Sequence, residues 1–162
     1  MNIRFITQED VNDFLGCYLE IWRSLKGVLP DGYVDDQIKR ASSQEFHEKM
    51  MDEAGDPVNL LMVATEQADA VGLACGNLRE DGSTWLTFLG VKPAHRRRGV
   101  GRSLLARLIE ESRSRGSSRV SLNTDPCLMP AVRLYESMGF VVEGYTENKY
   151  GLRLVVYSLD IT

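Results

Sequence analysis

The chain is predicted to be a mixed α/β protein of the α+β type, with a mostly antiparallel sheet of seven strands flanked by about four helices. Three observations predict this fold. Between Val58 and Val91 the apolar residues recur with the period of strands, and turn residues at Gln67-Ala68-Asp69 and Asp81-Gly82 divide them into an antiparallel meander. The runs ending at Val91 and centred on Val120 are joined by an amphipathic helix, so those two strands run parallel. The last two alternating runs close the chain as a hairpin.

Each element has a local reason. Ile3 and Phe5 form a short first strand, and Thr7-Gln8-Glu9-Asp10 opens a helix with Thr7 as its cap and acids in the first turn. Val11, Phe14, Leu15, Tyr18, Leu19, Ile21, Trp22 and Leu25 give that helix a buried face, and the stretch from Gly27 to Gly32 with Pro30 breaks it. A single more polar helix is expected from about Asp35 to Ala54, ending at Gly55-Asp56-Pro57. Strands follow at Leu60 to Thr65, Val71 to Leu78 and Thr84 to Val91. The helix from Gly99 to Arg115 buries Leu104, Leu105, Leu108 and Ile109, and Gly116 suits its end. Arg119 to Asn123 is a strand, Pro130 to Met138 a short helix started by proline and stopped by Gly139, and Phe140 to Thr146 with Leu152 to Ile161 is the closing hairpin.

With 162 residues, 43% of them apolar and 26% charged, the chain is read as one domain, residues 1–162, able to bury a core. The formal net charge of −4 argues against a nucleic-acid partner, whose binding rests on phosphate neutralisation. Cys17, Cys75 and Cys127 are odd in number, far apart and without metal-ligand spacing, which suggests a reducing compartment and no metal. The N-terminus lacks the apolar core of a signal peptide and no apolar run reaches membrane-spanning length, so a cytoplasmic location is expected.

Chemistry concentrates in Leu89-Gly90-Val91-Lys92-Pro93-Ala94-His95-Arg96-Arg97-Arg98-Gly99-Val100-Gly101-Arg102-Ser103. A strand stops at Pro93, and a helix starts near Gly99 after a basic loop. Gly99 and Gly101 lack Cβ atoms, so backbone N–H groups can meet a ligand closely where the helix dipole favours negative charge. The stretch is an anion cradle. It lacks the Gly-x-x-x-x-Gly-Lys-Ser/Thr of a P-loop, and it lacks the third glycine and strand-adjacent position of a dinucleotide fingerprint.

A third pattern fits: Arg96-Arg97-Arg98-Gly99-Val100-Gly101 behind Leu89-Gly90-Val91-Lys92-Pro93 resembles the acetyl-CoA pyrophosphate loop of the GNAT N-acetyltransferase superfamily. Downstream, Ala131-Val132-Arg133-Leu134-Tyr135-Glu136-Ser137-Met138-Gly139-Phe140 resembles the family segment Ala-x-x-Leu-Tyr-Glu-x-x-Gly-Phe. The resemblance implies that the strands around Val91 and Val120 splay apart at a bulge and admit pantetheine like an extra strand. It further implies that Leu89, Gly90 and Val91 pair with pantetheine, and that Arg96, Arg97, Arg98, Gly99, Val100, Gly101, Arg102 and Ser103 hold the pyrophosphate.

For catalysis the resemblance assigns Tyr135 as the acid that protonates the departing thiolate. Where some family branches place a glutamate base, this chain has Asn123, an amide that cannot accept a proton; Asp125, Glu66, Glu20 or a water chain remain as bases. Leu128 stands where many members have an asparagine facing pantetheine. Cys127 is a conceivable acyl carrier, although a small loop residue is the simpler reading. His95 is read as a loop residue and His47 as a solvated one.

Acceptor specificity is assigned to the segment from Ser24 to Asp36 and the hairpin around Glu143 to Tyr150, with Tyr33, Trp22, Asp31, Asp35 and Tyr145 able to hold an amine. The expected activity is acetyl transfer from acetyl-CoA to a primary amine, of a small molecule, in a ternary complex. The alternatives are acetylation of a protein N-terminus or lysine, and a non-catalytic acyl-CoA-binding module. An exposed C-terminal strand edge leaves room for a homodimer.

Overall fold

The computed structural model describes the whole chain, residues 1–162. Strand β1 (Asn2–Phe5) leads through a 3-10 turn, Gln8–Asp10, into helices α1 (Val11–Arg23), α2 (Asp31–Ala41) and α3 (Gln44–Glu53). A meander follows: β2 (Asn59–Glu66), β3 (Asp69–Leu78) and β4 (Ser83–Val91). After the 3-10 turn Pro93–His95 come α4 (Val100–Ser114), β5 (Arg119–Thr124), α5 (Met129–Ser137), β6 (Val141–Glu147) and β7 (Arg153–Asp160).

The polar helix expected from Asp35 to Ala54 is in fact two helices, and it starts earlier, at Asp31. Ser42 and Ser43 divert the backbone. The Ser43 hydroxyl accepts from the Phe46 N–H at 3.1 Å as the N-cap of α3, and the Ser42 hydroxyl donates to the Ile38 carbonyl at 2.7 Å. The total is therefore five α-helices rather than about four. At the first turn, Thr7 does open a 3-10 segment, but the binding group is Asp10, whose carboxylate accepts from the Thr7 N–H at 2.7 Å and from both Arg4 terminal nitrogens at 2.7 and 2.8 Å.

All seven strands form one sheet in the order β1-β2-β3-β4-β5-β7-β6. Every neighbouring pair is antiparallel except β4 and β5. Helices α1 to α3 cover one face, where Phe14, Tyr18, Ile21 and Trp22 pack with Leu61, Val63, Leu73 and Cys75. On the opposite face Leu104, Leu105 and Leu108 of α4 pack with Leu60, Met62, Ala74, Val120 and Leu122, joined by Tyr135 of α5. No helix is long and apolar enough to cross a membrane.

The parallel pair is short. It holds together only through Ser83 with Arg119, Thr84 with Val120 and Trp85 with Ser121. Just beyond, β4 carries a bulge: Cys75 opposes Phe88 while Gly76 opposes Leu86, which leaves Thr87 as the extra residue, its hydroxyl on the Cys75 carbonyl at 3.1 Å. Bulges bend a strand, and from here β4 follows β3 while β5 follows β7. The sheet opens as a wedge between Phe88–Val91 and Leu122–Thr124.

Candidate active site

The wedge exposes a row of backbone groups. The Lys92 N–H donates to the Val71 carbonyl at 2.8 Å. By the alternation of an antiparallel ladder, Gly90 and Lys92 therefore address β3, and Leu89 and Val91 turn their N–H and C=O groups into the wedge. The Val91 carbonyl is met there by the Arg96 Nε at 2.9 Å, from the side opposite β3. Gly90 has a different duty. A Cβ at this position would stand 2.8 Å from Ile21 Cγ2, so glycine is what lets α1 lie directly on β4.

The wedge leads to the N-terminus of α4. Arg97 adopts a left-handed backbone at φ 63°, and Gly99, the N-cap, another at φ 82°. These two reversals turn the chain into the helix. The six consecutive N–H groups from Arg97 to Arg102 have no partner within the protein, and the first helical bond runs from the Ser103 N–H to the Gly99 carbonyl at 3.0 Å. A cluster of free donors at the positive end of a helix dipole is a site for a phosphate-type anion. The Ser103 amide lies outside it. Beside the cradle, Gly101 leaves 3.6 Å between a built Cβ and Leu134 of α5.

The arginines are not equivalent. Arg96 binds Val91 and the Ser24 hydroxyl, the latter at 2.7 Å; Arg98 stands 3.3 Å from His95 Nδ1 and 3.6 Å from Glu66; and Arg102 donates to the Ser137 hydroxyl at 2.6 Å. Arg97 alone has no protein partner for its guanidinium. His95 Nδ1 also lies 3.2 Å from Glu66, so both Glu66 and His95 brace the loop.

Tyr135 is buried on α5 against Phe140 and Tyr157, with ring centroids 5.8 and 6.2 Å away. Burial pushes its phenol well above the ordinary tyrosine range, so it is a protonated donor at neutral pH. Asn123 is exposed on β5, on the face opposite Leu122. Asp125, half-buried, accepts from the Cys127 N–H at 2.9 Å. Cys127 is exposed, yet burial of its sulfur and the nearby Asp125 push its thiol up to about 11. A thiol held protonated is a poor nucleophile.

An aromatic wall borders the wedge on the α1 to α3 side. Tyr33 meets Trp22 at 5.6 Å and Tyr150 at 4.9 Å between ring centroids, both edge-on. Burial, then Tyr150 and Asp125, raise the Tyr33 phenol. Asp35 is engaged by Lys26 at 2.9 Å, and Tyr145 lies flat under Arg153 at 4.3 Å. Sequence reasoning singled out Tyr33, Trp22 and Tyr145 but placed Tyr150 only at the margin of a hairpin. The resemblance implied a bulge where the two strands part, but it did not place that bulge at Thr87, and the Arg96 contacts were missed; the local signal for the bulge was Gly90, a glycine inside an apolar strand.

A sheet that opens beside an anion-binding helix start defines a protein that grips an extended, phosphate-bearing ligand along a strand edge. Residues 18–140 match the model of the acetyltransferase (GNAT) family, and the chain belongs to that family. It is 30% identical over 143 residues to an uncharacterized N-acetyltransferase of Schizosaccharomyces pombe, covering 86% of this chain and 82% of that one. It is 40% identical over 85 residues to a mycothiol acetyltransferase of Kineococcus radiotolerans, 52% of this chain and 27% of the relative. The chain spans only 18–38% of the length of several such curated relatives. Its fold is similar to that of the PaiA N-acetyltransferase from Thermoplasma acidophilum in complex with coenzyme A, with a TM-score of 0.80 at 19% identity and 96% of each chain covered.

Proposed function

We propose that the chain, as a single acetyltransferase domain, transfers an acetyl group from acetyl-CoA to the primary amine of a small molecule. The observation that carries this reading is the run of six unpartnered N–H groups at the head of α4, opening onto the edge of β4 that no strand pairs beyond Trp85. A pyrophosphate fits the first and a chain of amides fits the second. Arg97, free of protein partners, adds the charge that an anion needs. The thioester supplies the activated acetyl group; the chain's residues supply its placement.

Holding amine and thioester in attack geometry is itself a large part of such catalysis. Tyr135 donates a proton to the departing sulfur, a role suited to a phenol that burial keeps protonated. Asn123 orients the amine through its amide, and Asp125, two residues on, takes the amine proton directly or through water. The aromatic wall of Trp22, Tyr33 and Tyr150 receives the acceptor.

The test is a calorimetric titration of acetyl-CoA into the protein and into Gly101→Glu, followed by thiol release over a panel of primary amines and lysine peptides. Binding by the parent and none by the variant is the expected outcome. Turnover confined to peptides would overturn the small-molecule assignment, and equal binding by both proteins would overturn the cradle.

A further inference from the structure

The Arg96 guanidinium reaches away from the free N–H groups of the cradle. Its Nε donates to the Val91 carbonyl at 2.9 Å and its Nη2 to the Ser24 hydroxyl at 2.7 Å. Ser24 is the C-cap of α1; its hydroxyl donates in turn to the Ile21 carbonyl, and its own N–H donates to the Glu20 and Ile21 carbonyls at 3.1 Å. A cation at a helix C-terminus is favourably placed against the dipole. The last turn of α1 is thus fixed to the open edge of β4 twice over, by Ile21 against Gly90 and by Ser24 through Arg96 to Val91. Between Ile21 and Ser24 sits Trp22, whose ring meets Tyr33, which meets Tyr150.

We infer that Arg96 is a positioning residue: it couples the cofactor edge at Val91 to the acceptor wall of Trp22, Tyr33 and Tyr150 by bridging Val91 to Ser24. The inference rests on the acetyltransferase reading above and adds a role to it. Occupation of the β4 edge by a ligand amide bears on the Val91 carbonyl, hence on Arg96, and through Ser24 on the turn that carries Trp22. The wall is set when the cofactor edge is filled. Arg96 retains further N–H groups for solvent or anion, because only Nε and Nη2 are engaged.

Trp22 and Trp85 are the only tryptophans, so Trp85→Phe makes Trp22 the sole reporter of the wall. In that background CoA is titrated by calorimetry and by Trp22 emission, with and without Ser24→Ala. Ser24→Ala removes no charge and should change CoA affinity less than about threefold. The expected result is an emission change on CoA addition in the parent that is lost in Ser24→Ala although CoA still binds, and lost equally in Arg96→Lys, whose single ammonium cannot span both partners. An emission response that survives Ser24→Ala, or none in the parent despite binding, overturns the coupling. A loss of CoA affinity in Arg96→Lys of a hundredfold, with Ser24→Ala silent in both signals, makes Arg96 an anion ligand and also overturns it. Failure of the parent to bind CoA would remove the acetyltransferase reading and the coupling with it, an outcome separable from the others by calorimetry alone.

Discussion

At the scale of single residues, Tyr135 and Asp10 show the same rule from opposite directions. Tyr135 loses solvent, and its phenol is held in the neutral form. Replacing it by phenylalanine keeps the packing against Phe140 and Tyr157 and removes only the donor. Turnover should fall about a hundredfold, the usual contribution of a general acid, with CoA affinity unchanged in the same titration. The Asp10 carboxyl is held well below the usual range, first by the Arg4 guanidinium and then by the Thr7 N–H. A lowered folded-state value means stability that is fully present above the unfolded carboxyl range, declines as pH drops below that range, and is gone only once pH has fallen through the folded-state value. Asp10→Asn should therefore cost about 1 kcal/mol at pH 7, given a pair that is partly exposed, and the gap to the parent should begin to narrow below pH ~4 and close only below the folded-state value. Urea melts at pH 7 and pH 3 should show the gap at full size and then already reduced.

At the scale of elements, two joints carry strain or close contact that a sequence pattern leaves unseen. The β2 to β3 turn places Gln67 at φ 52° and Ala68 at φ 70°, left-handed positions that asparagine and glycine occupy more readily. Gln67→Asn with Ala68→Gly should raise stability by about 1 kcal/mol, read as a higher urea midpoint at constant slope. The opposite sign is expected at Gly90. There a methyl group would strike Ile21 at 2.8 Å, and Gly90→Ala should cost about 1–3 kcal/mol by forcing α1 off the sheet. The division of the expected helix at Ser42-Ser43 belongs here too. Apolar spacing through Ile38, Ala41, Phe46 and Met50 is continuous enough to hide a break that two serine side chains impose on the backbone.

At the scale of the whole molecule, the sheet is two antiparallel blocks hinged at three residue pairs, with a buried helix layer on each face. A ligand that fills the opening joins the blocks and should raise the free energy of unfolding by mass action. At a hundredfold excess over its dissociation constant CoA is worth about 2.7 kcal/mol, visible as a concentration-dependent rise in melting temperature. Gly101→Glu should melt close to the parent, since the new Cβ meets nothing nearer than 3.6 Å, but should show no such rise.

The sequence by itself determined the strand and helix periods, the antiparallel meander, the parallel crossover and the glycine-bearing basic loop. Each of these is encoded in neighbours a few residues apart. It also carried the family resemblance through Arg96 to Gly101 and Leu134 to Phe140, which the match over residues 18–140 bears out. Only the tertiary structure decided that the bulge falls at Thr87, that Glu66 braces His95 and Arg98, and that Tyr150 completes a wall with Tyr33 and Trp22. It alone decided that Arg96 turns from the cradle to Ser24, 72 positions away in the chain. The physical reason is separation: periodicity and capping are read within one turn or one hairpin, whereas a bulge, an ion pair or an aromatic contact depends on which distant backbone the fold brings alongside.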